Sequence, residues 1–171
     1  MSKLLLMCGI PGSGKSTWIS KFIGENDAVV VSRDSIRFAL LHEGEDYFAH
    51  EKEVTECFYK MIHELLETGQ YDYVIADATH NTPRARADAL LGIGAHMIEG
   101  VEIIPVYFNV PVKVCKFRNS LREGLACVPN QVIERMGRQR VKPKIRGERF
   151  WYSEIWEVDE NGILSRTDWT F

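Results

Sequence analysis

Several features that place a chain in a special class are missing from this sequence of 171 residues. No apolar run is long enough to span a bilayer, and the Leu-Leu-Leu-Met run near the amino terminus is too short for a secretory signal. We therefore expect no membrane contact. The four cysteines form no Cys-x-x-Cys pair and none lies near a histidine at metal-ligand spacing, which argues against a zinc site. Reduced thiols in a cytoplasmic protein are the expectation.

Internal repeats, low-complexity segments and linker-like stretches are also missing from the sequence. Hydrophobic residues make up 45% of the chain and charged residues 26%, which is typical of globular rather than disordered proteins. The length fits one domain with a substantial core. We therefore predict a single domain over residues 1–171, while the oligomeric state stays open.

Charge is distributed unevenly along the chain. The stretch from Lys113 to Arg149 contains eleven basic and three acidic residues, whereas the net charge of the whole chain is −3. The rest of the chain therefore carries a net charge of −11. Such asymmetry predicts contact with a polyanion, and a solvated basic helix face is the alternative.

One motif organises the chain. The stretch Gly9-Ile10-Pro11-Gly12-Ser13-Gly14-Lys15-Ser16 fits Gly-x4-Gly-Lys-Ser/Thr, a loop that holds phosphates of nucleoside triphosphates. Its glycines permit backbone conformations in which successive N–H groups face phosphate oxygens. Lys15 supplies a cation for the β- and γ-phosphates, and the Ser16 hydroxyl is placed to bind Mg²⁺. The predicted nucleotide contacts are Gly12, Ser13, Gly14, Lys15, Ser16 and Thr17.

Alternating apolar runs and helical patterns predict an α/β fold with a central parallel sheet and crossover helices. A long amphipathic helix is predicted from about Tyr47 to Thr68, and Asn161-Gly162 between apolar runs predicts a β-hairpin. The predicted strands are Leu4–Cys8, Ala28–Ser32, Tyr73–Ala76, Ile103–Phe108 and Ile155–Val158.

Two aspartates follow predicted strands on the chain. Because ligands of open parallel sheets bind outside the carboxyl ends of the strands, Asp34 and Asp77 are expected to face the phosphate site. Asp34 is a candidate general base for an attacking hydroxyl, and a helix N-cap is the alternative. Asp77 is a candidate for the shell of Mg²⁺, or else a turn residue. Arg37, one helical turn after Asp34, would face an anionic substrate or serve as a surface charge.

The basic segment predicts two helices joined by a loop, over about residues 112–140. Arg118 and Arg122 are four residues apart and are predicted to share one helix face. Paired arginines before the last strand are typical of a lid that closes over a triphosphate and neutralises charge during phosphoryl transfer.

Over residues 1–140, the sequence resembles the 5′-kinase domain of phage polynucleotide kinase. The resemblance depends on MCGIPGSGKSTW, VSRDSIR, Asp77 with Asn81, and NVPVKVCKFRNSLREGLACVP. It implies a P-loop kinase with a helical lid, which transfers the γ-phosphate of ATP, with Mg²⁺, to a 5′-hydroxyl end of DNA or RNA. A role in nucleic acid repair is implied as well.

The resemblance also implies roles for individual residues. Asp34 is the general base, Arg37 holds a phosphate of the substrate, and Arg122 stabilises the transferred phosphoryl group. Arg118 lines the same pocket. Asp77 and Asn81 belong to the substrate side.

This sequence departs from the family pattern by one additional residue after Asp77 and one at Glu123-Gly124, both in loops that face the substrate. Nothing after about Arg140 resembles a 3′-phosphatase domain. Two other functions therefore stay open. One is a kinase for a hydroxylated nucleobase in DNA, such as 5-hydroxymethyluracil, or for a small molecule. The other is a nucleotide-dependent switch or ATPase without an acceptor.

Overall fold

The computed structural model describes residues 2–124 and 127–168 of the chain. Among these residues, no helix is both long enough and apolar enough to cross a membrane. The elements are β1 (Lys3–Cys8), α1 (Lys15–Glu25), β2 (Ala28–Ser32), α2 (Arg33–Leu40), α3 (Glu51–Thr68), β3 (Tyr73–Asp77), α4 (Pro83–Ile93), a 3-10 turn (Ala95–Met97), β4 (Glu102–Phe108), α5 (Val112–Ser120), α6 (Asn130–Gln139), β5 (Ile155–Val158) and β6 (Leu164–Thr167).

The six strands form one sheet in the order β2-β3-β1-β4-β5-β6. All neighbouring pairs are parallel except β5 and β6. The predicted α/β fold with a central parallel sheet flanked by helices is confirmed. The predicted hairpin joins β5 to the antiparallel strand β6, and Gly162 in its turn has a φ of 79°.

The core lies on both faces of the sheet because β1 is buried on both sides. Leu4 and Leu6 pack with Phe58 of α3 on one face, whereas Leu5 and Met7 belong to the cluster on the other face. This alternation follows from the two-residue period of a strand. Burial on both faces explains why β1 is a continuous apolar run, as in other parallel sheets.

Helix α3 begins at Glu51, four residues later than the sequence predicted. The preceding segment forms a turn, in which the Phe48 N–H donates to the Asp46 carboxylate at 2.9 Å and the Ala49 N–H donates to the Asp46 carbonyl at 3.0 Å. An aspartate that bonds the backbone two residues later favours a turn over a helix. Tyr47 and Phe48 therefore lie in a loop.

The strand ends and helix starts place the functional side chains. Ser32 ends β2 and caps α2, since the Ser35 N–H donates to its hydroxyl at 3.4 Å. Asp34 is therefore in the first turn of α2 and is not its cap. Asp77 is the last residue of β3 and pairs in register with Ser32. Both aspartates thus lie at the carboxyl edge of the sheet, where the loop after β1 also lies.

Candidate active site

The loop between β1 and α1 has the backbone geometry of a phosphate cradle. Gly12 and Gly14 have φ values of 81° and 94°, and Gly14 directly precedes the first residue of α1. A Cβ atom on Gly12 would lie 2.3 Å from the carbonyl oxygen of Cys115, so α5 packs against the loop where only glycine fits. The amino terminus of α1 points toward the loop, and a helix amino terminus attracts anions.

Lys15 is the first residue of α1, and no charged side chain in residues 2–124 and 127–168 lies at hydrogen-bond distance from its ammonium. Its ammonium donates to the carbonyls of Gly9 at 2.6 Å and Ile10 at 3.2 Å. Burial lowers the pKa of Lys15, and the Asp77 carboxylate counteracts only part of this effect. A bound phosphate would stabilise the charged form of Lys15 and so offset the effect of burial.

The oxygen donors near the loop fit a magnesium ion bound together with a nucleotide. Ser16 and Thr17 are exposed in the first turn of α1, and Asp77 faces the same cleft as Ser16. Burial raises the pKa of Asp77, and the charge of Lys15 offsets only part of that rise. No cluster of three His, Cys, Asp or Glu side chains in residues 2–124 and 127–168 could hold a metal alone. Mg²⁺ is commonly bound by one or two protein oxygens plus phosphates and water, which suits this donor set.

Asp34, which lines the same cleft as the phosphate loop, belongs to a hydrogen-bonded network. Arg37 Nη1 donates to Asp34 Oδ1, and the Tyr47 hydroxyl donates to the same oxygen at 3.1 Å. Arg37 also forms a bidentate pair with Glu51, with Nη2 2.9 Å from Oε2. Burial alone would raise the pKa of Glu51, but hydrogen bonds from Arg33 and Arg37 outweigh burial and lower the pKa.

The Arg37 side chain is only 6% exposed, whereas that of Asp34 is 67% exposed. Each guanidinium nitrogen of Arg37 already donates to Glu51, Asp34 or Tyr47. In this arrangement Arg37 orients the carboxylate of Asp34 and has few donors left for a substrate phosphate.

The phosphate loop and the network around Asp34 line one cleft of about 1110 Å³. The cleft collects most of the site residues that the sequence predicted, and it adds aromatic side chains from α2 and from the loop before α3. Of the predicted residues it is lined by Gly12, Ser13, Gly14, Lys15, Ser16, Asp34, Arg37, Asp77 and Arg122. Thr17, Arg118 and Asn81 are not among its lining residues.

The two predicted lid arginines do not share a helix face. Helix α5 ends at Ser120, so Arg122 lies two residues beyond it and reaches the cleft from the following loop. The end comes early because Leu121 and Arg122 make tight turn hydrogen bonds to Arg118 and Asn119. Arg118 donates from Nη2 to the Glu160 carbonyl at 2.7 Å, and its Nη1 would be 3.5 Å from a Cβ atom on Gly14. Arg118 thus lies beside the phosphate loop but outside the cleft.

Asn81 is buried beside the cleft. Its side-chain nitrogen and oxygen have no hydrogen-bond partner among the described residues, and it lines a separate cavity of about 150 Å³. Its carbonyl accepts from the Val141 N–H at 2.8 Å, which ties the chain after α6 to the loop after β3.

The sequence reading missed Tyr47 and Glu51, which hold Arg37 and Asp34 in place. Arg86 could have contacted substrate on sequence grounds alone, but it is 0% exposed and pairs with Glu148. Arg33, Tyr47 and Glu51 are charged or polar residues within twenty positions of Asp34, but no local signal indicates which of them will meet.

Comparison with known proteins agrees with this geometry. A family model described as an AAA domain (AAA_33) matches residues 4–143. In two structures of the Pnkp1/Rnl/Hen1 complex, one chain is 29% and 25% identical, with TM-scores of 0.54 and 0.62 over 66% and 81% of this chain. The present chain spans 37% and 43% of the length of those chains.

Two further structures share the fold at lower identity. A sugar kinase from Janibacter sp. HTCC2649 is 14% identical with a TM-score of 0.63, over 94% of this chain and 87% of that one. A fungal RNA kinase is 12% identical with a TM-score of 0.63, over 92% and 73%. Both of these neighbours are named as kinases, and this chain shares their fold. The chain belongs to the AAA_33 family of AAA domains, and its fold is that of the P-loop kinases.

Proposed function

We propose that this protein is an ATP-dependent polynucleotide kinase that transfers the γ-phosphate to a 5′-hydroxyl end of DNA or RNA. One observation carries the proposal: the phosphate loop with Lys15 and the exposed carboxylate of Asp34 line the same cleft. A triphosphate held by the loop and a hydroxyl beside Asp34 would therefore meet inside it. The proposal agrees with the resemblance to the phage kinase family.

The residues of the chain divide the work of phosphoryl transfer. The loop amides and Lys15 would hold the β- and γ-phosphates, and Mg²⁺ held by Ser16 would supply charge neutralisation when bound. Asp34, oriented by Arg37 and Tyr47, would accept the proton of the attacking hydroxyl, and the products are a 5′-phosphate and ADP. Arg122 would stabilise charge on the transferred group.

A polynucleotide acceptor is supported by the basic segment and by two comparisons. Residues 113–149 carry eight more positive than negative charges, which favours a polymeric anion over a neutral small molecule. The 25% identical neighbour belongs to the Pnkp1/Rnl/Hen1 RNA repair complex, the 29% identical neighbour belongs to a Pnkp1/Rnl/Hen1 complex, and another neighbour is a fungal RNA kinase. The proposal includes a single domain over residues 1–171 and a lid over about residues 112–140. Residues 125–126 of this lid lie outside the described part of the chain.

The test is a transfer assay with radiolabelled ATP across a panel of acceptors. The panel holds 5′-hydroxyl DNA, 5′-hydroxyl RNA, DNA with hydroxymethylated bases, nucleosides, gluconate and water alone. We expect transfer to a 5′-hydroxyl end. Labelling of the internal hydroxymethyl base, or of a small molecule alone, would assign one of the alternative kinases, and phosphate release without an acceptor would indicate an ATPase.

The same assay examines the role of Asp34. Asp34→Asn keeps the shape of the side chain and removes its basicity, so we expect turnover to fall by about a hundredfold or more. Affinity for Mg-ATP, measured by titration calorimetry, should be unchanged. Asp72→Asn is the matched control, because Asp72 is exposed just before β3, at the opposite end of the strand from Asp77. Wild-type turnover in Asp34→Asn would refute the assignment of the base.

A further inference from the structure

Three aromatic side chains line the acceptor side of the cleft instead of joining the core. Phe38 is 49% exposed and Phe48 is 62% exposed, and both line the cleft together with Tyr47. Large apolar side chains are usually withdrawn from water, and a group of them in a cleft marks a surface that binds something. We call Phe38, Tyr47 and Phe48 the aromatic cluster.

The rings of the aromatic cluster pack against one another and against the guanidinium of Arg37. The centroids of Phe38 and Tyr47 are 6.1 Å apart, and those of Tyr47 and Phe48 are 4.9 Å apart, both edge to face. The Arg37 guanidinium carbon lies 4.6 Å from the Tyr47 ring centroid and 5.6 Å from that of Phe48. Aromatic and cation–π contacts of this geometry hold the rings in defined positions.

The aromatic cluster is also tied directly to the candidate base. The Tyr47 hydroxyl donates to Asp34 Oδ1 at 3.1 Å, so a single tyrosine side chain separates the Phe48 ring from the carboxylate. The turn made by Asp46 keeps Tyr47 and Phe48 out of α3 and presents them to the cleft. A flat group attached to the reacting hydroxyl would therefore come beside these rings.

We propose that the aromatic cluster stacks the nucleobase of the terminal nucleotide whose 5′-hydroxyl is phosphorylated. This inference rests on the proposed polynucleotide kinase activity and extends it to one subsite. Every nucleobase offers a flat π face, so stacking on Phe48 gives affinity that tolerates any base identity. Lys15 and Arg122 line the same cleft and would hold the phosphates of the donor, while the aromatic cluster would hold the base of the acceptor.

The test pairs a side-chain deletion with a base deletion. Wild type and Phe48→Ala are each assayed for kcat/KM on two 5′-hydroxyl oligonucleotides, which differ only in a normal or an abasic 5′-terminal nucleotide. Loss of base–aromatic stacking predicts a fall of about fivefold to about a hundredfold for Phe48→Ala on the normal substrate. The kcat/KM of wild type should be lower on the abasic than on the normal substrate by a similar factor. The kcat/KM of Phe48→Ala should be nearly the same on both substrates.

Phe117→Ala is the matched control, because Phe117 is 66% exposed on α5 and does not line the cleft. We expect wild-type kcat/KM for this variant on both substrates. Since Phe48 is mostly exposed, its replacement should leave folding intact, and affinity for Mg-ATP checks this directly.

Three results would overturn the inference. The first is that the losses in kcat/KM from Phe48→Ala and from the abasic nucleotide multiply when combined, and the second is that wild type has the same kcat/KM on both substrates. The third is that Phe48→Ala has the same kcat/KM as Phe117→Ala on the normal substrate. Each of these outcomes leaves 5′-hydroxyl transfer by wild type in place, so the proposed function would survive. Absence of transfer from wild type to the normal oligonucleotide would instead refute the proposed function, and the inference with it.

Discussion

The ion pair between Arg86 and Glu148 gives the most quantitative expectation for this fold. Arg86 on α4 is 0% exposed and the Glu148 side chain is 6% exposed. Two hydrogen bonds join them, at 2.5 Å and 2.9 Å, and the Tyr152 hydroxyl donates to the same carboxylate at 2.8 Å. The pair connects α4 to the chain that follows α6. Glu148→Gln preserves its shape and removes one charge.

The cost of this change follows from the burial of the partner that remains. Removing one member of a buried pair typically costs about 3–5 kcal/mol, because the other charge stays buried without compensation. Arg86 keeps two backbone acceptors, the His80 carbonyl at 3.0 Å and the Val141 carbonyl at 3.1 Å. We therefore expect the lower end, about 3 kcal/mol, which corresponds to a fall in Tm of about 6–12 °C for a chain of this size.

Urea denaturation at pH 7 measures the change in the free energy of unfolding. Glu134→Gln is the control, because the Glu134 side chain is 41% exposed and that of its partner Lys116 is 34% exposed, so solvent screens the pair and its loss should change stability little. Equal destabilisation by the two variants would refute the reasoning.

The pH dependence of the same pair offers a second check. Burial alone would raise the pKa of Glu148, but the hydrogen bonds from Arg86 and Tyr152 outweigh it, and the folded pKa is lowered. The unfolded state then binds the proton more readily than the folded state. The contribution of ionised Glu148 to the free energy of unfolding is therefore complete above the unfolded pKa of about 4.3. It is lost as the pH falls through the lower folded pKa. The difference between wild type and Glu148→Gln should therefore shrink below about pH 4.3.

Two further predictions concern the cleft. Arg37→Ala removes the donor that orients Asp34, so kcat should fall by about tenfold or more with a smaller change in KM. A change confined to KM and to its salt dependence would instead assign Arg37 to the binding of a substrate phosphate. Burial lowers the pKa of His80 to about 4, whereas the unfolded value is about 6.5, so acidification from pH 6.5 to pH 4 should favour unfolding. The gap between these values corresponds to about 3 kcal/mol, and urea denaturation across this range should show a steeper loss of stability in wild type than in His80→Gln.

Local pattern was sufficient for most of the fold. The five strands of the parallel sheet, the glycine loop before α1 and the Asn161-Gly162 hairpin all depend on interactions within a few residues. A buried strand is an apolar run, and a left-handed turn favours glycine. Short sequence patterns are therefore enough to predict these elements. The prediction failed at the start of α3, where helical periodicity outweighed the turn signal of Asp46.

The rule that ligands of parallel sheets bind outside the carboxyl ends of the strands also predicted that Asp34 and Asp77 face the phosphate loop, and the structure has Lys15, Asp34 and Asp77 in one cleft.

The sequence by itself determined the phosphate loop, the order of elements and the edge of the sheet where the cleft lies. Tertiary structure alone decided which charges pair. Arg37 meets Glu51 across 14 residues, and Arg86 meets Glu148 across 62. Any of several carboxylates could have paired with either arginine, and only the packing of α3 and of the segment after α6 selects one. The physical reason is that backbone conformation is set locally, whereas the partner of a buried charge is set by the whole chain.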